Sequence, residues 1–115
     1  MLGRDRLNST LEMMILKAVS LGPYHGYGIA RRIYRMSGDA LMPEEGTIYP
    51  ALHRLVNREL LSTEWQKSEN NRRARYYHLT PKGRKRLVSE RERWEALRGA
   101  VDRVLSCESL PAGES

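Results

Sequence analysis

The hydrophobic period of this 115-residue chain changes once and then changes back. Up to Asn57, apolar residues recur at helical spacing. From Leu61 to Gln66 they alternate with polar ones, and after Thr80-Pro81 the helical spacing returns. Period two suits a half-buried strand and period 3.6 suits an amphipathic helix, so neither pattern fits the other element. The chain must therefore place a short β-hairpin between helices, around a single core, because this length does not supply two.

Each segment carries its own start and stop signals. Ser9-Thr10-Leu11-Glu12 reads as a capping box opening the first helix. Leu11, Met14, Ile15 and Ala18 form one apolar face of it, and Met13, Leu16 and Val19 a second, so the helix is expected to be covered on two sides. Gly22-Pro23 ends it. A second helix is expected from about Tyr27, with Ile29, Ala30, Ile33 and Met36 inward and Arg31, Arg32 and Arg35 outward. After the turn Ser37-Gly38-Asp39, Pro43-Glu44-Glu45 is expected to open a third helix, with Pro at its first position and acids at the positive end of the dipole. Ile48, Ala51, Leu52 and Leu55 form its apolar stripe. The opposite face carries Gly46, Pro50, His53, Arg54 and Asn57, flanked by Thr47 and Tyr49.

Leu61, Thr63 and Trp65 alternate with Ser62, Glu64 and Gln66 as a first strand, and Arg73 to Leu79 is its partner. Between them, Asn70-Asn71 tolerates the left-handed backbone of a hairpin tip. Thr80 then caps a last helix with Pro81 at its first position. Along it Leu87, Trp94, Leu97, Val101 and Val104 follow a near-heptad seam, which calls for a second helix against it. The order defines a mainly α fold with a small β-hairpin. It is that of a winged helix-turn-helix domain (residues 7–79) with a long C-terminal dimerisation helix (80–107) and a disordered tail (108–115).

Charge narrows the function. The chain has twenty Lys and Arg against fourteen Asp and Glu, a net charge of +6, and a sequence pI near 9.8. Lys67 to Arg93 alone holds ten basic and three acidic residues, so the excess is one contiguous patch across the hairpin and the start of the last helix. Such a patch releases counterions on meeting a phosphate backbone. Double-stranded DNA is the expected partner. The third helix would present Thr47, Tyr49, His53, Arg54 and Asn57 to the major groove, and Arg72 and Arg73 would reach the flanking backbone or minor groove. Tyr27, near the start of the second helix, is a candidate phosphate donor.

Other classes find little support. His25, His53, His78 and the single Cys107 lack ligand-type spacing, so neither a metal site nor a cofactor is expected. There is no nucleophile motif or phosphate loop, so the chain does not read as an enzyme. The longest uncharged stretch, Ala18 to Ala30, is too short and too glycine-rich to span a membrane. No secretory leader is apparent and one cysteine permits no internal disulfide, so a cytoplasmic protein is expected. Two other readings remain. One is a ligand-binding or protein-docking winged helix without specific DNA binding, which has no use for the concentrated charge. The other is a sequence-neutral chromosome-associated protein, which would bind scrambled DNA equally well.

Three segments carry a resemblance. Leu-Gly-Pro-Tyr-His-Gly-Tyr-Gly-Ile-Ala (Leu21 to Ala30), Gly-Thr-Ile-Tyr-Pro-Ala-Leu-His-Arg-Leu (Gly46 to Leu55) and Tyr-Tyr-His-Leu-Thr-Pro-Lys-Gly (Tyr76 to Gly83) resemble the PadR family of transcriptional regulators, in its short form with one C-terminal helix. The chain departs from the family at Glu59, where Gly is usual after the recognition helix, and at Ser9, where Gly is usual near the first helix start. The resemblance implies a homodimeric repressor. It further implies, as in several members, an apolar space at the dimer axis where a planar hydrophobic effector weakens DNA binding. Trp94 would line that space, with Met13, Met14 and Leu97 as neighbours and Val101 further along the seam.

Overall fold

The computed structural model of the chain describes residues 4–114, and side chains from residue 8. Four helices and three strands follow in the order α1 (Arg4–Ser20), β1 (Tyr24–His25), α2 (Gly26–Met36), α3 (Glu45–Asn57), β2 (Leu61–Lys67), β3 (Arg73–Leu79) and α4 (Pro81–Leu105). The sheet is antiparallel in the order β1-β3-β2. The mainly helical fold with its hairpin is as the sequence pattern requires, and β1 is an addition to it. Two residues are too few to show a period, and only pairing of Tyr24 with Tyr77 and His25 with Tyr76 defines that strand.

The core joins α1, α2 and α3 to the base of the hairpin. Ile15, Leu16, Ile29, Ile48, Leu52, Leu55, Leu60 and Leu61 are fully buried within it, each worth about 1.5–3 kcal/mol of apolar burial. On α1, Leu11, Ile15, Leu16, Ala18 and Val19 are buried, whereas Met13 and Met14 are half-buried. The helix starts at Arg4, one turn and more before the Ser9 expected to cap it. With helical turns already preceding Ser9, the N–H groups after it have carbonyl partners and need no cap. Glu12 instead turns outward to α3.

On α2, the start moves to Gly26, with His25 as N-cap: its Nδ1 accepts the Gly28 N–H at 2.9 Å. Ile29, Ala30 and Ile33 are buried as expected, but Met36 is 47% exposed. Arg32 is not a free outer-face cation. Its Nη1 donates to the carbonyls of Ala18 (2.9 Å) and Gly22 (2.6 Å), closing the C-terminus of α1, where a cation also meets the negative end of the dipole. The guanidinium lies 4.7 Å from the Tyr24 ring centre.

α3 begins at Glu45, two residues later than Pro43 suggests. Glu44 is the N-cap, so Pro43 stands outside the helix. Pro50 lies within it on the exposed face, where its missing N–H is withheld only from the first-turn carbonyl of Gly46. The helix ends in a Schellman motif: the Leu60 N–H reaches the Leu55 carbonyl and the Glu59 N–H that of Val56, both at 2.9 Å. Glu59 adopts φ +62°, the left-handed conformation that glycine takes without penalty. The departure from the family thus keeps the turn and adds strain.

In the hairpin all seven residues of β2 pair with β3, from Leu61 opposite Leu79 to Lys67 opposite Arg73. The left-handed residue of the tip is Asn71, at φ +61°. Thr80 caps α4, its Oγ1 accepting the Gly83 N–H at 2.9 Å and directing its single proton at the carbonyls of Glu59 (2.8 Å) and Leu60 (3.0 Å). Any Cβ at position 83 would overlap that same Leu60 carbonyl. Beyond α4 the chain is irregular, with a turn in which the Glu114 N–H meets the Pro111 carbonyl. The expected disordered tail includes Ser115, which lies outside the described residues.

These two backbone constraints predict opposite effects. In urea denaturation, Glu59→Gly raises stability by about 1 kcal/mol by relieving the left-handed strain. Gly83→Ala lowers it by about 1–3 kcal/mol, because the clash is with backbone and not with a side chain that can swing aside.

Candidate nucleic-acid interface

Seating of α3 by Ile48, Ala51, Leu52 and Leu55 leaves the opposite side of the helix open. Gly46, Thr47, Tyr49, Pro50, His53 and Asn57 are all exposed there. The two flanks of this open side meet different neighbours. Tyr49, on one flank, lays its ring against the α2 start, where the hydrogen of Gly26 leaves just enough room: a Cβ would strike Tyr49 Cε1. Burial, and then the nearby Glu45 carboxylate, push the Tyr49 phenol above its ordinary pKa. It therefore stays neutral at physiological pH.

Arg54, expected as a DNA contact, lies on the other flank. Its Nε lies 2.9 Å from Glu12 Oε2, and Arg58 pairs with the other oxygen of the same carboxylate. The Glu12 side chain is 13% exposed and that of Arg54 40%, so the pair fastens α3 to α1 while part of the guanidinium stays open to solvent. Helical angle alone puts Arg54 beside Thr47 on the open side. What adds the tether to Glu12 is the proximity of α1, which no pattern within residues 45–57 reports.

The hairpin stands beside the Tyr49 flank. Between them lies a cleft of about 360 Å³ bordered by His25, Tyr27, Tyr49, Arg72, Arg73 and Arg75. None of the residues lining it is acidic. Tyr27 is 54% exposed at the first turn of α2, whose dipole adds positive potential to the same space. Arg72 comes from the tip and Arg73 from the first rung of β3. Sequence reading did not single out Arg75, although its two-residue spacing from Arg73 puts both on one face of the strand. Glu69 of the tip lies 3.3 Å from the Tyr24 hydroxyl and 3.6 Å from Nε2 of His25, at the edge of the cleft.

A second feature lies on the far side of α1. Met13, Met14, Ile33, Met36, Leu87 and Trp94 surround an apolar hollow of about 460 Å³, with Lys17 and Arg91 at its edge. Of the residues expected around such a space, Met13, Met14 and Trp94 are brought together. Leu97 and Val101 do not line it, because α4 runs on past the helical layer. Trp94 is 37% and Val101 42% exposed, rising to 74% at Val104. The seam is thus an open apolar stripe on a helix of 25 residues, about 37 Å long.

A helix seated on a three-helix core with its outer side open, followed by a basic hairpin beside it, defines a winged helix-turn-helix protein. Residues 15–89 match the transcriptional regulator PadR-like family, and the chain belongs to that family. Transcriptional regulator Rv3488 of Mycobacterium tuberculosis is 33% identical over 110 residues, 96% of each chain. An uncharacterised 37.1 kDa protein of transposon TN4556 in Streptomyces fradiae is 38% identical over 90 residues, 78% of this chain but 24% of its own length. Among solved structures, a PadR-like transcription factor of Bacteroides fragilis is 31% identical with TM-score 0.70, covering 87% of this chain and 94% of its own. The PadR-like regulator BC4206 of Bacillus cereus is 27% identical with TM-score 0.75, covering 90% and 99%. The protein is therefore a transcriptional regulator by family and not an enzyme. No helix among the described residues is long and apolar enough to cross a membrane.

The clamp on α3 has a measurable signature. Glu12→Gln lowers stability by about 0.5–1 kcal/mol at low salt, a partly exposed pair being worth no more. The difference from wild type narrows as salt is raised from 0.05 to 0.5 M, because screening weakens the wild-type pair alone.

Proposed function

We propose that this chain is a homodimeric, sequence-specific DNA-binding repressor, acting in the cytoplasm. The observation that carries the reading is the cleft between hairpin and α3, bordered by three arginines and three tyrosines with no acid in its lining, and adjoining the open side of α3. Thr47, His53 and Asn57 are the side chains placed to meet base edges in the major groove. Tyr27, Tyr49, Arg72 and Arg73 serve the phosphates, which position the domain without reading sequence. Arg54 acts at one remove, by holding α3 at its angle through Glu12.

The open seam of α4 supports the dimer. A stripe of Trp94, Leu97, Val101 and Val104 on a helix that outruns its own core gains burial only from another helix. Two copies so joined would present their α3 helices to half-sites about one helical turn apart, roughly 34–36 Å. The hollow beside Met13, Met14 and Trp94 supports relief by an apolar small molecule, whose binding would shift α1 and α4 against each other.

The test is fluorescence anisotropy on labelled duplex from the gene's own upstream region and on a scrambled duplex, at two salt concentrations. Binding at least about 10³-fold tighter to the native duplex supports a specific regulator. Equal affinities that collapse together with salt overturn specificity. Arg72→Ala with Arg73→Ala weakens binding to both duplexes and reduces the salt slope by about 2, one for each lost phosphate contact. Trp94→Asp converts the dimer to monomer in size-exclusion chromatography, and a variant still eluting as a dimer removes Trp94 from the seam.

A further inference from the structure

The two faces of the hairpin differ in a way that its tip does not explain. Residues directly opposite in an antiparallel pair share a face, so the register places Leu61, Thr63, Trp65 and Lys67 with Leu79, Tyr77, Arg75 and Arg73. At the base this face is core: Leu61 is 2% and Tyr77 8% exposed. Two rungs further out the helices no longer cover it, and Trp65 is 59% exposed. The Arg73 guanidinium lies over its ring, 5.2 Å from the centre, and Arg75 is directly across the ladder.

Charge is sorted between the faces as well. The outer half of the first face carries Lys67, Arg73 and Arg75 around Trp65 and no acid. The opposite face carries Glu64, 3.0 Å from His78 Nε2. The one acid of the tip, Glu69, is held at Tyr24 and His25. A hairpin that only needed solubility would mix signs on both faces and place small polar residues at an uncovered edge-strand position. Here the most apolar-surfaced side chain of the hairpin stands in the open, among three cations, facing the same side as the cleft.

Stacking on an indole engages the flat face of a guanidinium and leaves its in-plane N–H groups free for an acceptor. Trp65 therefore orients Arg73 while presenting the rest of its ring to an apolar surface. On duplex DNA an apolar surface beside an anionic acceptor is the deoxyribose next to its phosphate. We propose that the hairpin meets DNA with this face and not with its tip alone. The Trp65 ring packs on a sugar of the backbone bordering the groove, and Arg73, held against it, donates to the adjoining phosphate. Lys67 and Arg75 flank the contact. The site reads no base, so it adds affinity common to all duplexes. The proposal rests on the DNA-binding reading above and deepens it with a residue that reading does not use.

The experiment compares wild type, Trp65→Ala and Trp65→Phe by anisotropy on the upstream and scrambled duplexes across a salt series. For Trp65→Ala we expect about a five- to tenfold loss on both duplexes and a salt slope lower by about 1, as the unsupported Arg73 loses its phosphate. Trp65→Phe, which keeps an aromatic face, recovers part of the affinity. In parallel, acrylamide quenching of tryptophan emission with and without duplex isolates Trp65 as the difference between wild type and Trp65→Phe, and that component becomes protected on binding. Wild-type binding with an unchanged affinity and slope in Trp65→Ala, or an unprotected Trp65 component, overturns the hairpin-face proposal and leaves the DNA-binding reading intact. Failure of wild type to bind either duplex at low salt overturns that reading and this proposal with it.

Discussion

The carbonyl of Leu60 is the point at which α3, the hairpin and α4 are fixed to one another. It accepts from the Thr80 N–H at 3.3 Å, it shares the proton of Thr80 Oγ1 (3.0 Å) with the neighbouring Glu59 carbonyl (2.8 Å), and Gly83 packs directly against it. Leu60 follows Glu59, whose left-handed turn ends α3, and precedes the first rung of β2. The same hydroxyl accepts the Gly83 N–H and so starts α4. One residue's backbone thus sets the angle at which the open helix leaves the core, the hairpin rises beside it and the long helix departs in the other direction. The glycine is required because a methyl group would occupy the oxygen's place, and the threonine because its hydroxyl must donate and accept at once.

From that junction outward, the arginines divide into two populations. Arg32 closes the end of α1, and Arg54 and Arg58 hold Glu12, so these three serve to assemble the helices. Arg72, Arg73 and Arg75 stand around the cleft with no carboxylate among its lining. The difference matters for electrostatics. Arg32 keeps its charge against neutral carbonyls and Arg54 and Arg58 share one carboxylate, whereas the three hairpin arginines stand around a cleft whose lining has no acid. The local acids have partners as well, Glu12 on α1 at Arg54 and Arg58, and Glu69 at Tyr24 and His25.

The apolar surface is divided in the same manner. One set of side chains closes the core, and a second set, Met13, Met14, Met36, Leu87 and Trp94, surrounds a hollow on the opposite side of α1 from the α3 clamp. Glu12 and Met13 are neighbours on one helix, one facing α3 and the other the hollow. A displacement of α1 on one side is therefore felt on the other through a rigid element, without any chain of intermediate contacts.

Periodicity and caps determined the elements. The stripe Ile48, Ala51, Leu52 and Leu55, the alternation from Leu61 to Gln66, and Thr80-Pro81 were legible because each is a local preference expressed within a few residues. The concentration of cations between Lys67 and Arg93, and hence the kind of partner, was legible for the same reason. Tertiary structure alone decided the rest. Ser9 looked like a cap because its neighbours resemble one, but a helix that had already begun left it nothing to cap. Arg54 lies at the right helical angle for DNA and is claimed by Glu12, 42 residues away. β1 exists only because β3 passes beside it, and Trp65 is exposed only because the strands outrun the helices that bury Leu61 and Tyr77. Short-range sequence encodes which conformation a segment prefers, whereas partnership between charges and the depth at which a face leaves the core depend on where distant segments come to lie.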